Sequence, residues 1–158
     1  MANQMILTKV KSTAHYNDVV APANVTNGNF VALGVKGSDG TYTVAAPAAI
    51  SSKGINIVCE VPLSYEAENT ENDFVISTGA VVRARQPELG DIEAYPVTNF
   101  TATVAAAAGK YVIPDAAALK AEIVGSLGGT ESVVYIIEKV FTKVGVSMLQ
   151  MRCIKAEA

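Results

Sequence analysis

The alternation of apolar and polar residues is clearest between residues 72 and 95, in the run NDFVISTGAVVRARQPELGDIEAY. Read with a period of two, this run predicts strands at Phe74–Ile76, Ala80–Arg85 and Ile92–Tyr95, with a break at Gly79. The PELGD segment between the last two strands contains a proline and a glycine, so it predicts a reversal of the chain. The rest of the chain is organised around this stretch.

Two arginines share one face of the central strand in this run, because Arg83 and Arg85 alternate with Val82 and Ala84. A guanidinium on a strand face can make a two-point contact with a carboxylate of a partner subunit. The alternative is a solvated edge with Glu88 or Asp91 nearby. Arg83 and Arg85 are therefore candidate partner-binding residues.

The remaining apolar runs predict more short strands. Phe30–Val35 and Thr41–Val44 are separated by KGSDG, which predicts a β-hairpin. The segment from His15 to Asp18 is polar and predicts no strand. Further strands are predicted at Met5–Val10, Ile55–Pro62, Val97–Val104 and Lys110–Ile113.

The longest apolar strands are predicted at the C-terminal end, at Val133–Phe141 and Val144–Ile154, and their length places them at the centre of a sheet. Thr142 and Lys143 between them suggest a two-residue hairpin turn. The alternative is one continuous bent strand with a bulge at Gly145.

One segment has helical character. PDAAALKAEIVGSL begins with a capping residue, Asp115, continues with good helix formers and meets Gly125, so it predicts a short helix near 115–125. The turn signals elsewhere separate roughly nine to eleven short strands. The predicted fold is mainly β, a small sandwich or barrel of short antiparallel strands. We expect an N-terminal arm at 1–20 and one β-rich domain at 21–158, with a second lobe from about 105 left open.

Composition narrows the possible partners. The chain has 158 residues, of which half are hydrophobic and only 17% are charged, with a net charge of -3. The scattered basic residues and the negative net charge predict no nucleic-acid partner. No apolar run is long enough for a membrane helix, and the start, MANQMILTKVK, lacks the pattern of a secretory signal, so we expect a soluble product made in the cytoplasm.

No catalytic or metal-binding constellation is predicted. Cys59 and Cys153 both occur in apolar strand contexts, so they are either small core hydrophobes or a disulfide pair. With His15 as the one histidine, a Cys/His zinc cluster cannot form. The acidic run LSYEAENTEN, residues 63–72, predicts a solvated loop. We therefore expect no enzyme activity, no cofactor and no metal.

The run from Val25 to Tyr95 resembles the small β-rich accessory proteins of tailed-bacteriophage heads. The likeness lies in VTNGNFVALG, in TYTVAAPAA and in a closing pattern F-x-I-x-x-G-x-x-x-R followed by GD. In this chain the closing pattern consists of Phe74, Ile76, Gly79, Arg83, Gly90 and Asp91.

The resemblance implies a capsid decoration, or auxiliary head, protein that binds the outside of an assembled shell, often as a trimer. It would act mechanically, by bridging neighbouring subunits of the major capsid protein, and would reside on the virion exterior after synthesis in the host cytoplasm. An N-terminal strand could contribute by adding to a neighbour's sheet. The candidate residues in that arm are Met5, Ile6, Leu7 and Val10.

A ligand-binding β-module is the alternative, for example a carbohydrate-binding or host-surface-binding domain of a phage or cell-surface protein. Such a module needs a cleft lined by aromatic residues, and the chain contains no Trp. The six tyrosines are spread along the chain, one to a segment, which favours sheet faces and rims over a cleft.

Overall fold

The structure is a computed structural model that describes residues 4–10, 15–60 and 76–157. The predicted acidic loop at 63–72 lies outside these ranges, as do most of the predicted strand Phe74–Ile76 and the end of Ile55–Pro62. Within the described residues almost every regular element is a strand, which confirms the mainly β fold class. The helical element there is a 3-10 turn at Val97–Asn99.

Twelve strands are present in these ranges, and we number them in chain order. They are β1 (Ile6–Lys9), β2 (Tyr16–Val20), β3 (Phe30–Lys36), β4 (Tyr42–Ala45), β5 (Ile55–Val58), β6 (Val81–Arg85), β7 (Ile92–Pro96), β8 (Thr101–Ala102), β9 (Tyr111–Ile113), β10 (Glu122–Val124), β11 (Val133–Lys143) and β12 (Val146–Ala156).

Five strands close into a small barrel in the order β2-β4-β3-β5-β6. The predicted hairpin is confirmed as the antiparallel pair β3 and β4. Closure depends on β2, which runs parallel to β4 and antiparallel to β6. The barrel interior is filled by small apolar side chains, as its narrow diameter requires. They include Val19, Val25, Val31, Val44, Val58, Ile76, Val82 and Ala84.

The other seven strands form one sheet in the order β1-β7-β12-β11-β9-β10-β8. The long strands β11 and β12 lie in its middle, which confirms their predicted central position, and β1 lies at one edge. The strands after residue 105 therefore share a sheet with β7 and β1.

The main hydrophobic core lies between the barrel and this sheet. Phe30, Ile55 and Ile57 of the barrel pack against sheet residues that include Tyr135 and Leu149. All four residues of β5 are buried, because alternate side chains enter the barrel interior and the core under the sheet. Burying side chains of this size contributes about 1.5–3 kcal/mol each, so the barrel and the sheet stabilise one another.

The predicted helix at 115–125 is wrong. Residues Glu122–Val124 form β10, which pairs antiparallel to β9 and parallel to β8. Before it, Ala117 has a φ of 64° and donates its backbone N–H to the carbonyl of Pro47 at 2.7 Å. Ile123 is fully buried in the main core, so tertiary packing overrides the helical propensity of the alanine-rich segment.

Two further element predictions differ from the structure. Val97–Val104 is not one strand, because the 3-10 turn at Val97–Asn99 precedes the two-residue β8. The side chain of Asn99 donates to the backbone carbonyl of Asn27 at 2.8 Å and fixes this turn. Conversely, a strand runs through Tyr16–Val20, although no strand was predicted in the polar segment from His15 to Asp18; Val19 enters the barrel interior, and the barrel closes through this strand.

The long C-terminal hairpin turns at Val144 and Gly145, whose φ angles are 48° and 78°. Two successive positive φ angles are what a type I′ hairpin turn requires. The turn is therefore two residues later than predicted at Thr142 and Lys143. The alternative of a bent strand with a bulge at Gly145 is also wrong, since Lys143 and Val146 are directly paired across the turn.

We expect Val144→Asn to stabilise the protein. A β-branched residue at positive φ costs on the order of 1–2 kcal/mol, whereas Asn tolerates this conformation and Asn-Gly is a favoured type I′ pair. The gain should be about 1 kcal/mol, or roughly 2–4 °C in Tm. The control is Val35→Asn, at a similarly exposed residue in β3, which should bring no gain. Equal behaviour of the two variants in thermal unfolding would contradict this account.

Candidate functional site

Strand β6 carries the two predicted arginines, and the structure places them in different surroundings. Val82 and Ala84 point into the barrel, so Val81, Arg83 and Arg85 share its outer side, as the alternation predicts. Val81 and Arg83 are exposed there. Arg85 is fully buried, because the seven-stranded sheet covers this end of the strand.

The PELGD segment brings acidic residues to Arg85. It reverses the chain as predicted, with Gly90 at a φ of 89° and a hydrogen bond from the Asp91 N–H to the Glu88 carbonyl at 3.1 Å. The Gly90 N–H donates to the Cys153 carbonyl at 2.9 Å, which anchors the turn on β12. The chain thereby passes from the barrel into β7 of the sheet.

A buried charge network results. The Arg85 guanidinium bonds Asp91 through Nη1 and Glu93 through Nη2. Glu93 also accepts two hydrogen bonds: the Tyr95 hydroxyl donates to Oε2 at 2.8 Å, and the Tyr135 hydroxyl donates to Oε1 at 2.6 Å. All five side chains are at most 2% exposed. The network therefore links β6 of the barrel to β7 and β11 of the sheet.

The protonation states follow from burial and charge. Burial raises the pKa of the Tyr95 and Tyr135 hydroxyls, and the charge of Glu93 raises them further, so both remain hydrogen-bond donors. Burial alone would lower the pKa of Arg85, but the Glu93 carboxylate outweighs it and the pKa is raised. Arg85 remains a cation bound to carboxylates of its own chain.

The prediction that Arg85 binds a partner subunit is therefore wrong, because its guanidinium is sealed inside the molecule. The burial of all five side chains, and the contacts they make between the barrel and the sheet, favour a structural role for the network. The alternative of a solvated edge with Glu88 or Asp91 nearby is wrong about solvent at Arg85, although Asp91 is indeed its partner, and Glu93 was missed. The signal was present, since Glu93 interrupts an apolar strand on the same face as Tyr95.

The two cysteines flank this network as free thiols, Cys59 after β5 and Cys153 in β12. Burial raises the pKa of each thiol to about 12. Each cysteine is therefore a small buried hydrophobic residue, and the alternative of a disulfide between Cys59 and Cys153 is not what the structure shows.

The predicted arm residues lie on and beside β1. Met5 packs against the main core, and Ile6 and Leu7 are half-buried where β1 pairs with β7. Val10 lines a shallow depression of about 280 Å³, together with Lys9, Leu89, Gly90 and Asp91. These residues belong to the sheet whereas Arg83 belongs to the barrel, so the predicted partner-binding residues do not form a single site.

Arg83 instead lies next to an aromatic residue that sequence reasoning did not select. Its guanidinium stands over the ring of Tyr16 on β2, 5.5 Å from the ring centre. Tyr16 is 45% exposed and Val81, two residues from Arg83, is 58% exposed. Because β2 was not predicted, nothing in the sequence indicated that Tyr16 and Arg83 would meet.

We expect Arg85→Met to destabilise the protein by about 3–5 kcal/mol, because it leaves the Asp91 and Glu93 carboxylates buried without their cation. The measurement is the free energy of unfolding from urea titration.

The matched control is Arg152→Met. Arg152 pairs with Glu138 at 2.8 Å, but both side chains are substantially exposed, so this variant should lose less than about 1 kcal/mol. Similar losses in the two variants would show that the buried network does not hold the barrel to the sheet.

Stability should also fall in alkaline solution. The pKa of each thiol is about 12 in the native state and near 9 in the unfolded state. Between pH 9 and pH 12 the thiols are therefore ionised in the unfolded state but still protonated in the native state. The stabilisation is complete below pH 9 and is lost as the pH rises towards 12, by about 1.4 kcal/mol per thiol and pH unit. In urea titrations from pH 8 to 11, a Cys59→Ala, Cys153→Ala variant should show a shallower decline. An equally steep decline in the two proteins would show that the thiols do not cause it.

The described residues hold no group of three or more metal-ligating His, Cys, Asp or Glu side chains. No helix among them has the length and apolar character needed to cross a membrane. A scan against models of protein families finds no match to this chain, and a search of curated proteins finds none either.

Proposed function

We propose that this protein is a structural component of a tailed-bacteriophage virion. It binds the outer surface of the assembled capsid and stabilises the shell by bridging neighbouring subunits of the major capsid protein. It acts as a homo-oligomer, with a trimer favoured, and without enzymatic chemistry. The resemblance of residues 25–95 to phage head accessory proteins supports this proposal.

The observation that carries the proposal is the open edge of β1. This strand pairs with β7 along one side, and no other described strand pairs with its second side. Thr8 and Lys9 on β1 are exposed. An unpaired edge offers backbone donors and acceptors to an extended segment of another protein, which is how strand addition works.

The rest of the molecule suits a mechanical role. A protein that bridges subunits of a pressurised shell must transmit force without separating into parts. Here the barrel and the sheet share one hydrophobic core and are also joined by the Arg85 network. Many copies on one shell would multiply modest individual contacts through avidity.

The direct test uses shells assembled from the major capsid protein encoded in the same genome, without this protein. We expect the purified chain to co-sediment with these shells at micromolar concentration, to saturate, and to raise the temperature at which they rupture. Absence of co-sedimentation would contradict the proposal. Binding to a glycan array without binding to shells would favour the carbohydrate-binding alternative.

The contribution of β1 can be tested by a proline substitution. Thr8 lies at a bulge between Leu7 and Lys9 and has no partner residue in β7. Thr8→Pro removes a backbone donor of β1 at a position without a partner residue in β7, so we expect it to weaken strand addition to β1 and therefore shell binding. Thr8→Ala keeps that donor and serves as control. Equal shell binding by the two variants, at equal folding stability, would eliminate β1 as the contact.

A further inference from the structure

We infer that the barrel carries a second contact for the shell, a face that receives a carboxylate of the capsid subunit on Arg83. This face, the Arg83–Tyr16 face, consists of Tyr16 and Asp18 of β2 with Val81 and Arg83 of β6. The inference rests on the proposed function and names both a surface and the chemistry of its partner. The contact is separate from β1, which belongs to the other sheet.

The geometry of Arg83 is unusual for an arginine with acidic neighbours. Asp18 is its direct partner across the β2–β6 ladder, and the carboxylate of Glu60 accepts its backbone N–H at 2.8 Å. Even so, its guanidinium forms no ion pair with any residue in the described part of the chain, and it lies over the Tyr16 ring instead. Among the described residues, the cation is therefore held against the ring and not in an ion pair.

Such an arrangement is prepared for a two-point contact. A cation–π contact uses none of the guanidinium N–H donors, and a pair of these donors matches the two oxygens of a carboxylate. Because the ring already restricts the Arg83 side chain, less conformational entropy is lost on binding. Arg and Tyr are also the residue types that most often dominate protein interfaces.

The neighbours define the partner more closely. Val81 presents an exposed apolar side chain beside Arg83, while the exposed Asp18 repels a broadly acidic surface. The chemistry that fits is a single Asp or Glu of the capsid subunit, flanked by apolar residues that cover Val81 and the Tyr16 ring. A nucleic acid or another strongly anionic polymer does not fit.

The chain provides a control in a second cation–aromatic pair on the barrel, in which the lysine is exposed and the tyrosine is half-buried. Lys36 stands over Tyr42 at 5.4 Å, nearly the separation found for Arg83 and Tyr16. A lysine ammonium is a strongly hydrated point charge that lacks the planar fork of arginine. Removing either cation changes the net charge by the same amount, so a difference between the two variants reports on the site and not on overall charge.

The experiment measures shell binding by the full chain and by Arg83→Met, Arg83→Lys and Lys36→Met, with the unfolding free energy of each checked first. We expect Arg83→Met and Arg83→Lys each to weaken binding by about tenfold or more, and Lys36→Met to bind as the unaltered chain does. Arg83→Lys retains the charge but not the fork, so it tests the two-point contact itself.

The possible failures are distinguishable. If the unaltered chain does not bind shells, the proposed function fails and this inference fails with it. If it binds but Arg83→Met binds equally well, the Arg83–Tyr16 face is not a contact, while the proposed function stands. If only Arg83→Met is impaired and Arg83→Lys is not, a general positive charge suffices, which overturns the carboxylate contact inferred here.

Discussion

Arg85 places a positive charge where two β-structures meet, and the architecture depends on how that charge is compensated. A guanidinium isolated from water costs many kcal/mol, so β6 can lie against the sheet only if Asp91 and Glu93 arrive with it. Apolar contacts alone would allow the barrel to slide or rotate on the sheet, because they have little directionality. The charge network requires one relative position, in which both carboxylates and both tyrosine hydroxyls are satisfied.

The sequence predicted much of the fold where local pattern and tertiary environment agree. The β3–β4 hairpin, the PELGD reversal and the central C-terminal strands follow from alternation and turn chemistry. The helix expected at 115–125 failed because a three-residue strand at the sheet's far side outweighs the preference of a few alanines. The turn at Val144 and Gly145 was missed because valine gives no signal for positive φ.

The predictions of site residues also succeeded where local pattern decides and failed where tertiary packing decides. Periodicity placed Arg83 and Arg85 on one side of β6, yet whether that side faces water depends on where β7 packs, which no local pattern encodes. The two arginines therefore differ: Arg85 is buried and paired with carboxylates of its own chain, whereas Arg83 is exposed and lies above the Tyr16 ring. The Tyr16 contact depended on recognising β2, a strand that begins in a polar segment and pairs with β4 and β6 to close the barrel.

The closure of that barrel also has a kinetic side. Its seam joins Tyr16–Val20 to Val81–Arg85, and the sheet joins Ile6–Lys9 to Ile92–Pro96, so each half is completed by pairing segments far apart along the chain. Contacts of this kind slow folding, because the entropy of closing a long loop must be lost before the pairing is gained. During synthesis β2 can pair with β4 early, but β1 has no strand partner until β7 is made, and the β2–β6 seam cannot close before residues 81–85 are made. The exposed polar residues Thr8 and Lys9 of β1 suit that delay, since polar and charged side chains on an unpaired strand oppose aggregation.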